Sequence, residues 1–178
     1  MKRMSIGLIA ALTFAACGGG GVSQASPTAA RTTPAATPSP TPQTSVVLTA
    51  VLRSTEEVPP IANAEASCTG TATVTLDKSA NKGKFEAELS GCPADAAPTI
   101  MHIHRGAKGA NGGVVVNSGL AAGEWKLTAG AGKITKDIAT IDAALLNEII
   151  TTPAAFYYNI HTAVNGGGVV RAQLEKKS

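Results

Sequence analysis

Aromatic side chains are scarce in this 178-residue chain, at 3% of positions. Beyond the first segment only Phe85, Trp125, Phe156, Tyr157 and Tyr158 remain, too few for the stacking platforms on which proteins bind bases or sugars. Charge is thin too, at 15% of residues, with no basic stripe. The formal net charge of +3 falls to about +1 once Lys2 and Arg3 are set aside, so nothing marks a nucleic-acid surface. No apolar run is long enough to span a bilayer: Met4 to Ala16 is an uncharged stretch of about 13 residues, against the ~20 a membrane helix needs. A nucleophilic Ser/His/Asp arrangement and a phosphate-cradling loop leading into a helix are both absent. Histidine and cysteine are each limited to three, and it is their placement that carries information.

The first segment reads as an export signal. Lys2 and Arg3 form the positive start and Ile6 to Phe14 the short apolar region. Phe14-Ala15-Ala16-Cys17 then resembles a bacterial lipoprotein box, with Phe14 where Leu is commoner. This gives a lipoprotein signal peptide over 1–16, lipidation at Cys17, export to the cell envelope and attachment to a membrane through the lipid. The alternative is an ordinary signal cleaved near Ala16. With Cys17 lipidated, Cys68 and Cys92 remain as an even pair, which in an oxidising compartment predicts a disulfide. Residues 17–45 follow as a Gly/Pro/Thr/Ser-rich linker with no apolar periodicity, expected to be disordered. Prolines this dense favour extended chain, giving a tether that reaches on the order of 80 Å.

Residues 46–178 make one domain. Val46–Arg53 reads as a strand. Thr69–Leu76 and Gly83–Ser90 alternate apolar with polar around the polar connection 77–82, and so form a hairpin. Matching their core faces pairs Val74 with Phe85, which sets position 68 opposite 91; a Cys68–Cys92 bridge then needs an irregularity at Gly91. Glu124–Thr128 and Lys133–Ile138 read as short strands. Ile141–Ile150 reads as a helix capped by Thr140, with Ile141, Ala144, Leu145 and Ile149 on its apolar stripe. The fold class is all-β: an antiparallel Greek-key sandwich or barrel with one short helix.

The chemistry concentrates in Thr99–Val116, TIMHIHRGAKGANGGVVV, and its echo Phe156–Arg171, FYYNIHTAVNGGGVVR. Each copy runs through an alternating strand, Ile-His, a polar loop, Asn-Gly-Gly and a Val-rich partner strand. All three histidines of the chain lie here. By the period of two, Met101 and Ile103 share one face and His102 and His104 the other. In the second copy Phe156, Tyr158 and Ile160 oppose Tyr157, Asn159 and His161. The histidine faces are expected to lie away from the core. His102 and His104 at i and i+2 suit two ligands of one metal, and His161 supplies a third nitrogen for a divalent copper or zinc ion. Binding needs neutral rings and so should weaken below about pH 6.5. Glu57, Tyr157, Asn159 and Arg171 are secondary candidates, as further ligands or supports. Glu57 reads as a loop residue open to solvent, and Arg171 as its ion-pair partner or as solvent-facing.

Glu56-Glu57-Val58-Pro59-Pro60, Gly70-Thr71-Ala72-Thr73, His102-Ile103-His104 with Gly106 and Gly109, and Asn159-Ile160-His161-Thr162 leading to Gly167 through Leu174 together resemble the CHRD domain. That module is named after chordin and is also found in bacterial exported proteins. The resemblance covers nearly all of 46–174. It departs at Gly168-Val169-Val170-Arg171, where Gly-Glu-Ile-Arg is commoner, and Cys68 and Cys92 are additions to the pattern. It implies an all-β extracellular module and no general activity; in chordin such domains belong to an antagonist that binds growth factors. The outward His-x-His with a Gly-rich loop behind it also looks like part of a copper/zinc superoxide dismutase. That enzyme uses more histidines, one bridging two metals, and three cannot build its site. Three readings follow: a metal-binding module, an extracytoplasmic protein-interaction module whose histidines only brace the loops at 105–113 and 162–168, and a metal-dependent enzyme.

Overall fold

The computed structural model describes residues 44–177; the signal segment, Cys17 and nearly all of the linker lie outside the described residues. The strands are β1 (Ser45–Arg53), β2 (Thr69–Asp77), β3 (Lys82–Ser90), β4 (Pro98–Arg105), β5 (Val114–Asn117), β6 (Gly132–Ile138), β7 (Phe156–Thr162), β8 (Val170–Gln173) and β9 (Glu175–Lys176), with one helix, α1 (Ala143–Thr151). They form a single antiparallel sheet in the order β5-β4-β7-β8-β1-β2-β3-β6, with β9 added beside β1, and the sheet curls until it is nearly a closed barrel. The link from β5 to β6 joins opposite edges of the sheet, and the links from β3 to β4 and from β6 to β7 also carry the chain across to strands that are not neighbours, connections of the Greek-key kind.

The alternating strands behave as their pattern requires. Leu48, Leu52, Val74, Leu76, Phe85 and Leu89 are fully buried inside the barrel, where they meet Met101, Ile103, Tyr158 and Ile160 from β4 and β7. Tyr158 packs edge-on to Phe85 at 5.3 Å between centroids, and its hydroxyl reaches Met101 Sδ at 3.1 Å. The β2–β3 register pairs Val74 with Phe85, as face-matching requires. Position 68 therefore stands opposite 91, and Gly91 takes φ +67°, a conformation that carries the strand one residue on and brings Cys92 to Cys68. The two form a disulfide with Cα atoms 4.3 Å apart.

Two local expectations are corrected. Glu124–Thr128 is not a strand; only Thr128 bridges, to Ala131, across a two-residue turn at Ala129 and Gly130. β6 pairs with β3 on one side, and Glu124–Thr128 is a loop anchored by buried Trp125. The helix starts later than its apolar pattern, at Ala143, and is capped by Asp142, whose side chain accepts from Leu145 N–H. The Ile141 amide donates to Asn81 O in the β2–β3 turn, which holds Thr140 and Ile141 outside the helix. Its buried face is accordingly Leu146, Ile149 and Ile150, with Ala144 exposed.

The disulfide closes a loop spanning 24 residues. Replacing both cysteines by alanine should lower unfolding free energy by about 3 kcal/mol in the chain-entropy account, read as a drop in the urea midpoint relative to the oxidised protein.

Candidate metal centre

β4 and β7 are adjacent and antiparallel, with Ile100 opposite His161, His102 opposite Asn159 and His104 opposite Tyr157. This register places His102, His104 and His161 on one face, His161 diagonal to His102. A bulge in β5 lies beside them: Ile103 pairs with Val116 but His104 with Val114. The three rings converge, and one nitrogen from each lies within 4.8 Å of the other two. His102 Nδ1 and His161 Nε2 are 3.2 Å apart. Nitrogens bound at ~2.0–2.1 Å to one ion stand about 3.3–3.6 Å from each other, so small side-chain rotations complete the set.

The other ring atoms determine which nitrogens are free. His104 Nδ1 is 2.9 Å from Gly112 O, and His161 Nδ1 is 2.9 Å from Gly166 O. A carbonyl only accepts, so both Nδ1 atoms carry the proton, and the neutral rings present Nε2 lone pairs. Nε2 of His104 is buried without any hydrogen-bond partner. The two acceptor carbonyls come from the Asn-Gly-Gly loops that follow each histidine. Each loop thereby orients its own ring, the arrangement that fixes tautomer and direction for metal ligands.

This face is not open to solvent, contrary to the sequence expectation. Every residue of β7 is buried, and each of the three histidines is 8% exposed. The cover is the segment between β1 and β2, which polar contacts clasp across the face. Asn159 Nδ2 donates to Glu57 Oε1 at 3.1 Å, Thr162 Oγ1 donates to Glu65 Oε2 at 2.6 Å, and Asn111 Nδ2 donates to Val58 O at 2.9 Å. Gly168, at φ +129°, permits the closure: a Cβ there would stand 2.5 Å from Asn159 Nδ2 and 2.8 Å from Glu57 Oε1.

The secondary candidates all belong to this assembly. Tyr157 stacks on His104 with centroids 4.8 Å apart and planes 7° from parallel, and its hydroxyl accepts from Gly112 N–H. Arg171, from β8 on the other side, lays its guanidinium 4.8 Å from the centre of the same ring. Two expectations fail. Glu57 is buried, not solvated, and Arg171 neither faces solvent nor forms an ion pair with Glu57. Arg171 donates instead to Glu56 O, to Asn111 Oδ1 at 2.9 Å and to Ala110 O at 3.4 Å. A buried guanidinium needs its donors met, and backbone carbonyls within reach meet them. Glu65 and Asn165 were not singled out in the sequence, whereas the contacts of His104 and His161 with Gly112 O and Gly166 O fall in the loops, 105–113 and 162–168, that the rings were expected to brace. Glu65 carries no local signal, because its burial depends on strands about a hundred positions away.

Burial, and then the neighbouring imidazoles, push His102 down to about 4. His104 is also lowered, chiefly by burial, so both rings favour the neutral form more than the pH 6.5 expected from the sequence implies. Burial raises Glu57 to about 7 against the opposing effects of Arg171 and Asn159. The two shifts act oppositely on stability. Between about pH 6.5 and 4 the unfolded chain takes up a proton that folded His102 refuses, so its contribution is present above that window and lost as pH falls. Between about 4.5 and 7 folded Glu57 holds a proton the unfolded chain has lost, so its contribution is present at low pH and lost as pH rises. In chelator-treated protein, Glu57→Gln should therefore lose stability more steeply than wild type from pH 6.5 to 4.5, by on the order of 2 kcal/mol across the window. Urea midpoints at stepped pH measure it.

No curated protein matches the chain. The family model described as CHRD domain matches residues 48–174, a span that runs from β1 through β8 and holds both histidine strands, their Asn-Gly-Gly loops and the clasped cover. The chain belongs to the CHRD domain family.

Proposed function

We propose that this protein is an exported CHRD module, tethered to a membrane by lipid on Cys17, that binds one copper or zinc ion through His102, His104 and His161. One observation carries the metal reading: Nε2 of His104 is buried without a partner, in a group of three nitrogens lying within 4.8 Å of one another. A buried acceptor left unmet costs about 1–3 kcal/mol, and an ion shared with the other two rings would meet it. Nitrogen-only donors suit copper or zinc and do not suit calcium or magnesium. The loop carbonyls of Gly112 and Gly166 would hold two of the ligands in their binding tautomer. Export is supported by the charged start, short apolar run and Cys17 of the sequence, and by a disulfide between the other two cysteines.

A second reading, a protein-interaction module with structural histidines, is favoured by the same two Nδ1 contacts, since each ring braces its own loop. The readings part on a single measurement. Copper or zinc at a hundredfold over its dissociation constant should raise the melting temperature of chelator-treated protein by roughly 10 °C. His102→Ala, His104→Ala and His161→Ala together should abolish that rise while leaving a cooperative transition. A wild-type melting curve that no metal moves leaves the interaction reading in place.

The tether has its own test. Cys17→Ala should shift the protein from the membrane fraction to the soluble exported fraction or stall it unprocessed. Mass spectrometry of the mature wild-type chain should find a lipid-modified cysteine at its N-terminus.

A further inference from the structure

The three-histidine site is made only of neutral donors. The polar contacts of the three rings are to one another and to the carbonyls of Gly112 and Gly166, and none is to a carboxylate. The two buried acids of the cover are engaged elsewhere: Glu57 holds Asn159, and Glu65 holds Thr162 and Asn165. Arg171 is itself 3% exposed, and its hydrogen bonds go to neutral acceptors, the carbonyls of Glu56 and Ala110 and the side chain of Asn111. No ion pair among the described residues cancels its charge, and Glu57, the buried acid that feels it, is held toward the neutral, protonated form by burial.

The geometry gives this cation a path to the site. The guanidinium lies 4.8 Å from the centre of the Tyr157 ring, and that ring lies 4.8 Å from His104, so the charge sits two stacking steps from a ligand. A unit charge about 10 Å away, at an effective dielectric near 20, alters binding roughly tenfold for each unit of charge on the ion. The self-energy of an ion in a buried site grows with the square of its charge, so a dication also suffers more from the lack of an anionic ligand. Zinc commonly completes a three-histidine shell with a water, and it would do so here beside a fixed positive charge.

We propose that the site is built for a monovalent ion, copper(I), in preference to zinc(II), and that Arg171, acting through the Tyr157 stack, sets that preference. This rests on the three-histidine reading. Tyr157 is a spacer here: it holds the guanidinium near the imidazoles and fills the room an acidic ligand would otherwise take. The clasped cover has the matching role of keeping out the water that would screen the charge.

The test uses the full-length protein under anaerobic, reducing conditions, titrated separately with copper(I) and zinc(II) against chromophoric competitors, and reads the ratio of the two affinities. Wild type should prefer copper(I). Arg171→Gln removes the charge and should move the ratio roughly tenfold toward zinc, while Arg171→Lys should restore most of the wild-type preference. Asn111→Asp leaves Arg171 in place and sets a carboxylate against its Nη1 from an exposed loop position, and Asn111→Ala, which gives up the same hydrogen bond to Val58 O without adding charge, is the reference for its ratio. Asn111→Asp should move the ratio the same way as Arg171→Gln, and it decides alone if the Arg171 variants do not fold. Equal or tighter zinc binding by wild type, or an Asn111→Asp ratio within twofold of that of Asn111→Ala, would overturn the proposal while leaving the metal site standing. Failure of both ions to bind would instead overturn the three-histidine reading itself.

Discussion

The antiparallel pairing of β4 with β7 is the constraint on which the rest of this molecule depends. Its register sends Met101, Ile103, Tyr158 and Ile160 into the barrel and His102, His104, Tyr157, Asn159 and His161 to the opposite face. Because side-chain direction alternates, a slip by one residue would put the imidazoles into an apolar core and the core residues under the polar cover. Core and site are thus two faces of the same ladder. Stability enforces the register, and the register assembles the histidines.

On the outer face, burial has been applied to polar groups and met group by group. His102 and His104 are held toward the neutral form, Arg171 is held by carbonyls, and Glu57 is raised toward its protonated form by the same burial. The segment between β1 and β2 supplies much of this, reaching residues a hundred positions away through Asn63, Glu57 and Glu65. Such a cover lowers the local dielectric, which strengthens each remaining electrostatic interaction and makes each unmet polar atom costlier. Side-chain atoms without partners among the described residues include His104 Nε2, Asn159 Oδ1 and Glu65 Oε1. His104 and Asn159 lie on this face and Glu65 in its cover.

The two histidine segments repeat one design. In each, an Ile-His strand end is followed by a loop whose Asn-Gly-Gly contains the carbonyl that binds Nδ1 of the same segment's histidine: Gly112 for His104 and Gly166 for His161. Glycine allows this close approach. At Gly112 an added Cβ would lie 1.6 Å from Arg105 O, so no other residue could bring that carbonyl under the ring without moving the strand. The loop that completes the hairpin is the part that orients the ligand.

Alternation alone was enough to read β1, the β2–β3 register and the irregularity at Gly91, because strand faces follow local sequence and one buried face permits one register. It also separated the core side of β4 and β7 from the histidine side. It misplaced the helix cap, since the Ile141–Asn81 hydrogen bond that delays α1 joins distant segments. It made a strand of Glu124–Thr128, which is a loop fixed by the burial of Trp125 against the core. What the sequence by itself determined was the all-β pattern, the cysteine pair and the gathering of every histidine on one kind of strand face. Only the tertiary structure decided that those faces meet, that a cover buries them with its own Glu57 and Glu65 turned inward, and that Arg171 lies beneath it. Convergence and burial depend on contacts between residues far apart in the chain, and no local pattern encodes those distances.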